Sequence, residues 1–186
     1  MNQISPIDFL LNRQSNPNLT APAPNKDELS TILQAAMSVP DHGAIMPFQI
    51  TVVDEQAREK LSEIYVNSAV IRAEDEVKLA KVKKMPYRSP MMLIVSTQYQ
   101  QHPKVPKQEQ LITAGCAVHV MQMACVALGY NGMWRTGDMA YCDVVKQGLN
   151  INPEEDIVGF LYIGTESKSL PDKNRKSFEQ VTQYLS

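Results

Sequence analysis

A chain of 186 residues, 44% apolar and 20% charged, is long enough for one domain with a sizeable core. A net charge of −2 and a pI near 5.9 argue against a global electrostatic pull toward nucleic acid or an anionic membrane. Three cysteines without a CxxC pair argue against a disulfide framework or a zinc site and fit a reducing cytoplasm, and the N-terminal residues lack the basic and apolar regions of a signal peptide.

Ser5, Pro6 and Asp8 make a helix start, with a cap, a proline in the first turn and an acid near the positive end. The helix should end near Asn12 and Arg13, with residues 14–25 extended, so Arg13 and Ser15 fall at a helix-to-loop transition. On local sequence alone they read as a solvated arginine and a turn serine. Asn25 with Glu28 three residues on is a capping-box pattern, and Leu29, Ile32, Leu33, Ala36 and Met37 recur at helical spacing until Ser38, Val39 and Pro40 stop them. The loop of residues 41–47 holds Gly43 between two prolines. Residues 48–53 read as a strand, and Asp54 and Glu55 start a helix containing Leu61, Ile64 and Tyr65.

Residues 67–84 are highly charged, with Glu74 and Lys78 placed to pair on a helix face. Acids balance the lysines and no aromatics interleave, so a solvated helix over one side of a pocket is expected rather than a nucleic-acid surface. Residues 91–97 form an apolar, central strand. Pro106 opens a long helix that extends to Gly129, about 35 Å at 1.5 Å per residue. Its apolar stretch is interrupted by Thr113, His119 and Gln122, and its many small residues suit a core helix of a soluble protein better than a membrane span. Such a helix is expected to be buried on all sides, with His119 a hydrogen-bonded core residue. Asn131 and Gly132 turn the chain into a third strand at residues 133–136, residues 138–149 give a short helix, and residues 157–164 a fully apolar fourth strand. Residues 165–186 are polar with scattered leucine, phenylalanine and tyrosine; such a tail either frays or wraps a partner subunit. No repeat or composition break divides residues 1–186, which are expected to form a single domain.

Sequence motifs for dinucleotide loops, P-loops, zinc proteases and serine hydrolases are absent, and the three histidines, at 42, 102 and 119, are isolated from one another. An enzyme whose chemistry belongs to a cofactor leaves this kind of blank. Arg135, just past the long helix and its turn, and the Arg-x-Ser at Arg13 and Ser15 could converge on one anion.

Several short motifs recur in a fixed order: Arg-x-Ser at 13–15, Pro-Asp-His at 40–42, a proline and an aromatic at 47–48, and Lys-Val-Pro at 104–106. Ala-Gly-Cys-Ala at 114–117, Trp-Arg-Thr-Gly at 134–137 and the strand Val-Gly-Phe-Leu-Tyr-Ile-Gly at 158–164 complete the series. Together they resemble the FMN-dependent nitroreductase family, specifically its small YdjA-like bacterial branch, over about residues 5–165. The resemblance implies an α+β fold, with a mostly antiparallel sheet flanked by helices, a long central helix and an intertwined homodimer holding two FMN at its interface.

Carried over residue by residue, the resemblance gives Arg13, Gln14 and Ser15 the flavin phosphate and ribityl chain, and Trp134, Arg135 and Thr136 a second flavin segment. His42 would approach the flavin across the dimer. Gln14 stands where the family often has a second arginine, and Met46 where it has an amide; both departures bear on how well flavin is held and tuned. Ala124, Cys125, Val126, Ala127, Leu128 and Gly129 match a segment tied to the nicotinamide nucleotide. The implied activity is cytoplasmic hydride transfer from NAD(P)H through flavin to a nitroaromatic, quinone or similar small acceptor, with no dedicated side-chain acid or base and no metal. Dehalogenation or enone reduction on the same fold is one rival. A non-catalytic dimeric flavin-binding or interaction module is another, and a structural homodimer without flavin a third.

Overall fold

The computed structural model describes residues 5–185; residues 1–4 and 186 of the expected single domain lie outside the described residues. Five strands form one sheet: β1 (Leu19–Thr20), β2 (Phe48–Val53), β3 (Met91–Thr97), β4 (Asn131–Arg135) and β5 (Ile157–Glu166). β5 pairs antiparallel with β1, β3 and β4, and β2 pairs antiparallel with β3. Every residue of β3 is buried, as a strand covered on both faces requires. On one face lie α3 (Arg58–Ile71), α4 (Glu76–Lys84) and α6 (Asp143–Gly148), packing Leu61, Tyr65, Val82 and Val145 against Met92, Phe160 and Tyr162. On the other lie α2 (Lys26–Ala36) and α5 (Lys107–Ala127), packing Ile32, Ala117, Val118 and Met121 against Leu93, Leu161 and Ile163. The short α1 (Pro6–Leu11) buries no residue.

The expected caps form. The Ser5 hydroxyl accepts from the Asp8 N–H, and the Asn25–Glu28 capping box is complete in both directions. α5 closes in a glycine-capped turn: Gly129 takes φ +87°, its N–H reaching the Val126 carbonyl and the Tyr130 N–H the Cys125 carbonyl.

Several sequence expectations need correction. α5 is long and apolar enough to cross a membrane, but half of its apolar window is buried in the fold. It is not enclosed on all sides: layers cover one flank only, and Leu111, Ile112, His119 and Leu128 are exposed. His119 is therefore a surface residue of this chain, not a core histidine. The charged helix expected over 67–84 is two helices, broken at Ala73 (φ +52°) and restarted at Asp75, whose side chain caps Lys78. β4 begins at Asn131 and ends before Thr136, and the helix expected over 138–149 is a 3-10 turn followed by α6. β1 escaped the sequence because two residues carry no readable period.

The tail divides in two. Its first part folds back on its own N-terminal segment: the Asn16 amide donates to the Lys168 carbonyl at 2.8 Å, Gln14 to the Pro171 carbonyl at 3.3 Å and Arg175 to the Arg13 carbonyl. Its last part stands away from the fold, with Val181, Tyr184 and Leu185 largely exposed.

Candidate functional site

α1 ends at Leu11 and delivers Arg13 and Ser15 to the C-terminal end of α5. Arg13 Nη1 donates to Ser15 Oγ at 3.0 Å. Gln122 Nε2, on α5, donates to the same oxygen at 3.1 Å and to the Gly132 carbonyl on β4 at 2.7 Å. Gln122 is 2% exposed, so one buried amide ties the N-terminal loop, α5 and β4 together. Sequence reasoning registered Gln122 only as a polar interruption of an apolar helix. That interruption was the available signal, since a buried amide must find partners.

A cleft of about 230 Å³ opens beside this junction, lined among others by Arg13, Gln14, Asp8, Val126, Asn131 and Glu166. It brings together two of the three expected phosphate residues and one residue of the expected nicotinamide segment. Asp8 is held by Ser5, and Glu166 accepts from the Asn131 amide, so the nearby acids have partners of their own. Of the rest of the nicotinamide segment, Cys125 is fully buried and burial pushes its thiol up to about 12, whereas Ala127, Leu128 and Gly129 are the exposed end of the helix.

Trp134 and Arg135 point to opposite faces of β4, as neighbours on a strand must. The Trp134 indole packs in the α5-side core and its N–H donates to the Val158 carbonyl at 3.2 Å. Gly159 makes room for it: a Cβ there would fall 2.1 Å from the indole nitrogen. Arg135 lies on the α3 side, its guanidinium carbon 5.9 Å from the Tyr162 ring centre. Within one chain Arg13 and Arg135 do not meet, because β4 carries Arg135 about 13 Å beyond Asn131, at about 3.3 Å per residue. Thr136 is exposed at the rim of a second cleft of about 220 Å³, between α4 and the turn after β4.

His42 and Met46 stand at the other end of α5. His42 Nδ1 is 2.8 Å from Glu109 Oε2 in the first turn of that helix. Met46 adopts φ +46°, its N–H donating to Asp41 Oδ2 at 2.7 Å, and its side chain is 60% exposed over a shallow depression with Phe48 and Gln98. From Glu109 to Val126 is about 25 Å of helix. One chain therefore keeps the two halves of the expected site apart. Among the described residues no group of three or more His, Cys, Asp or Glu could hold a metal ion.

A three-layer α+β fold around this sheet, with a long helix on one face, is that of nitroreductase-like proteins. The structure of a nitroreductase-like family protein from Bacillus cereus matches all of this chain and 98% of its own, with TM-score 0.86 and 21% identity. A variant of NfnB from sphigopyxis sp. strain HMH, described as an FMN- and NADPH-dependent nitroreductase, matches 97% of this chain and 98% of its own, with TM-score 0.76 and 15% identity. The nitroreductase family profile matches residues 10–165, and the chain belongs to that family. YdjA of Escherichia coli K12, provisionally assigned as an NAD(P)H nitroreductase, is 37% identical over 159 residues, covering 86% of this chain and 87% of its own. A similarly assigned protein of Haemophilus influenzae Rd is 33% identical over 161 residues, with the same coverage of both chains. Family and relatives together support an oxidoreductase.

Proposed function

We propose that this oxidoreductase is an FMN-dependent homodimer of the cytoplasm that takes reducing equivalents from NAD(P)H and delivers them to a nitroaromatic, a quinone or a similar small acceptor. The observation that carries the reading is the junction of Arg13, Ser15 and Gln122 at the open cleft. Its donors fit a phosphate monoester. Arg13 bonds Ser15 through one nitrogen and keeps the rest of its fork, and Ser15 accepts two bonds, so its own O–H remains to donate. Arg13 and Ser15 would hold the phosphate, and Gln122 would orient Ser15. Trp134, locked in the core by its side chain, would offer backbone groups, with Arg135 and Thr136 beyond it. The residues of α5 from Ala124 to Gly129 would meet the nucleotide donor. When bound, the flavin supplies the hydride relay, so donor and acceptor use one site in turn.

The separation of the two halves supports the dimer. A second copy packed antiparallel on the open α5 face, where Leu111 and Ile112 are exposed, would set His42 and Met46 of one copy beside Arg13 of the other. The exposed end of the tail is the proposed crossing segment.

A second reading, a dimeric flavin-binding module without turnover, draws on Gln14, whose amide donates to the Pro171 carbonyl, and on Met46, whose thioether is a poor hydrogen-bond partner. One experiment separates the readings: a visible absorbance titration with FMN, continued anaerobically with NADPH and then NADH. Saturable binding and bleaching of the oxidised band support the enzyme. Binding without bleaching supports the module, and no binding overturns both.

A further inference from the structure

The folded part of the tail is a basic strap beside the cleft at Arg13. Residues 167–176 carry four lysines or arginines against one acid, Asp172, in a chain whose net charge is −2. Hydrogen bonds fix the strap to the N-terminal loop. The Ser167 N–H donates to the Asn18 carbonyl at 3.0 Å, the Asn16 amide to the Lys168 carbonyl at 2.8 Å and the Gln14 amide to the Pro171 carbonyl at 3.3 Å. Arg175 closes the series with its bond to the Arg13 carbonyl.

This course sets charge where the proposed site ends. Ser169 and Leu170 wall the cleft that holds Arg13 and Val126. Just beyond, Asp172, Lys173 and Arg175 meet Leu11, Asn12 and Gln14 around a smaller cleft of about 140 Å³. Asn12 and Gln14 line both clefts, so the two adjoin across that rim. Among the described residues neither Lys173 nor Arg175 has a carboxylate within 4.0 Å, so Asp172 does not pair with them. Arg175 spends one nitrogen on the Arg13 carbonyl and keeps the rest of its fork. Two cations against one acid leave the smaller cleft one net positive charge. A phosphate monoester brings about −1.5 to −2 at neutral pH, and a bare ribose hydroxyl brings none. Nucleotide sites accept a 2′-phosphate with a basic side chain and a bare 2′-hydroxyl with an acid.

We infer that Lys173 and Arg175 form a subsite for the 2′-phosphate of NADPH, so that the strap selects NADPH over NADH as donor. The inference rests on the proposed use of residues 124–129 by the nucleotide. Val126 lies in the adjoining cleft, and a nucleotide seated there with its adenosine end outward meets the strap across Asn12 and Gln14.

The test is calorimetric titration of the FMN-saturated protein, at constant ionic strength, with 2′,5′-ADP and with 5′-AMP, which differ only in the 2′-phosphate. Both cations are exposed and screened by water, so the wild type is expected to bind 2′,5′-ADP about tenfold more tightly, the low end for charge-assisted hydrogen bonds. Lys173→Gln and Arg175→Gln are each expected to weaken 2′,5′-ADP roughly three- to tenfold and to leave 5′-AMP as in the wild type. Arg175→Gln also removes the bond to Arg13, so Lys173→Gln, which breaks no bond to the N-terminal loop, decides the matter if the strap loosens. Equal affinity for the two fragments, binding of neither, or a preference for 2′,5′-ADP that survives in Lys173→Gln overturns the inference. Tighter 5′-AMP also overturns it and gives the subsite to Asp172 and a bare hydroxyl. A response to inorganic phosphate that Lys173→Gln abolishes, without any preference between the fragments, marks a free-phosphate site and overturns the donor assignment. Failure of FMN to bind would overturn the flavin reading, and the same titrations of the FMN-free chain would still decide this one.

Discussion

Replacing Gln122 by methionine tests whether one buried amide organises the candidate site. Methionine conserves most of the volume and removes both hydrogen bonds, to Ser15 at 3.1 Å and to the Gly132 carbonyl at 2.7 Å. A buried neutral hydrogen bond contributes about 0.5–1.5 kcal/mol net, so the pair amounts to about 2 kcal/mol. For a chain of this length each kcal/mol moves the midpoint by about 2–4 °C, which gives an expected drop of about 4–8 °C. The assay is thermal unfolding followed by circular dichroism, run as a double-mutant cycle with Ser15→Ala. The two changes share one bond, so they are expected to couple by about 0.5–1.5 kcal/mol. FMN binding should weaken in both single variants, since Gln122→Met frees Ser15 and Ser15→Ala removes the oxygen to which Arg13 donates. A Gln122→Met midpoint within about 1 °C of wild type, with additive effects in the cycle, would refute the reasoning.

Gly159→Ala forces a Cβ to 2.1 Å from the Trp134 indole nitrogen and should cost roughly 3 kcal/mol, read from the urea midpoint; Gly137→Ala, with open space around it, should cost less. The Cys125 thiol, at about 12 through burial, and the Tyr99 hydroxyl, at about 12 through burial and its bond to Asp156, both bind protons more tightly when folded. Stability from these groups is thus complete below about pH 9 and is lost as pH rises toward 12. Cys125→Ala should flatten part of that alkaline slope in denaturant midpoints taken at each pH. Ending the chain after Arg175 removes the largely exposed Val181, Tyr184 and Leu185 but keeps the bonds from the tail to Arg13, Gln14 and Asn16. The fold should survive, while sedimentation should detect weaker dimerisation; an unchanged dimer would place the tail outside the interface.

The sequence by itself determined the local elements and the family. The capping box at Asn25, the proline openings of α1 and α5, and the β-branched strands β2 and β3 are written in adjacent residues, so local physics is enough to read them. The resemblance of short motifs in order carried the fold, because order and spacing along the chain survive where single residues do not. Only the tertiary structure decided what faces what. That Gln122 meets Ser15 while also bonding the Gly132 carbonyl depends on how α5 packs on β4 and the N-terminal loop, and no spacing rule links Gln122 to a residue 107 positions away. That Trp134 belongs to the core while its neighbour Arg135 faces Tyr162 follows from strand register. That His119 is exposed and α5 open along one flank follows from how many layers pack on the helix, and an apolar sequence without a clear period cannot state which flank is left bare.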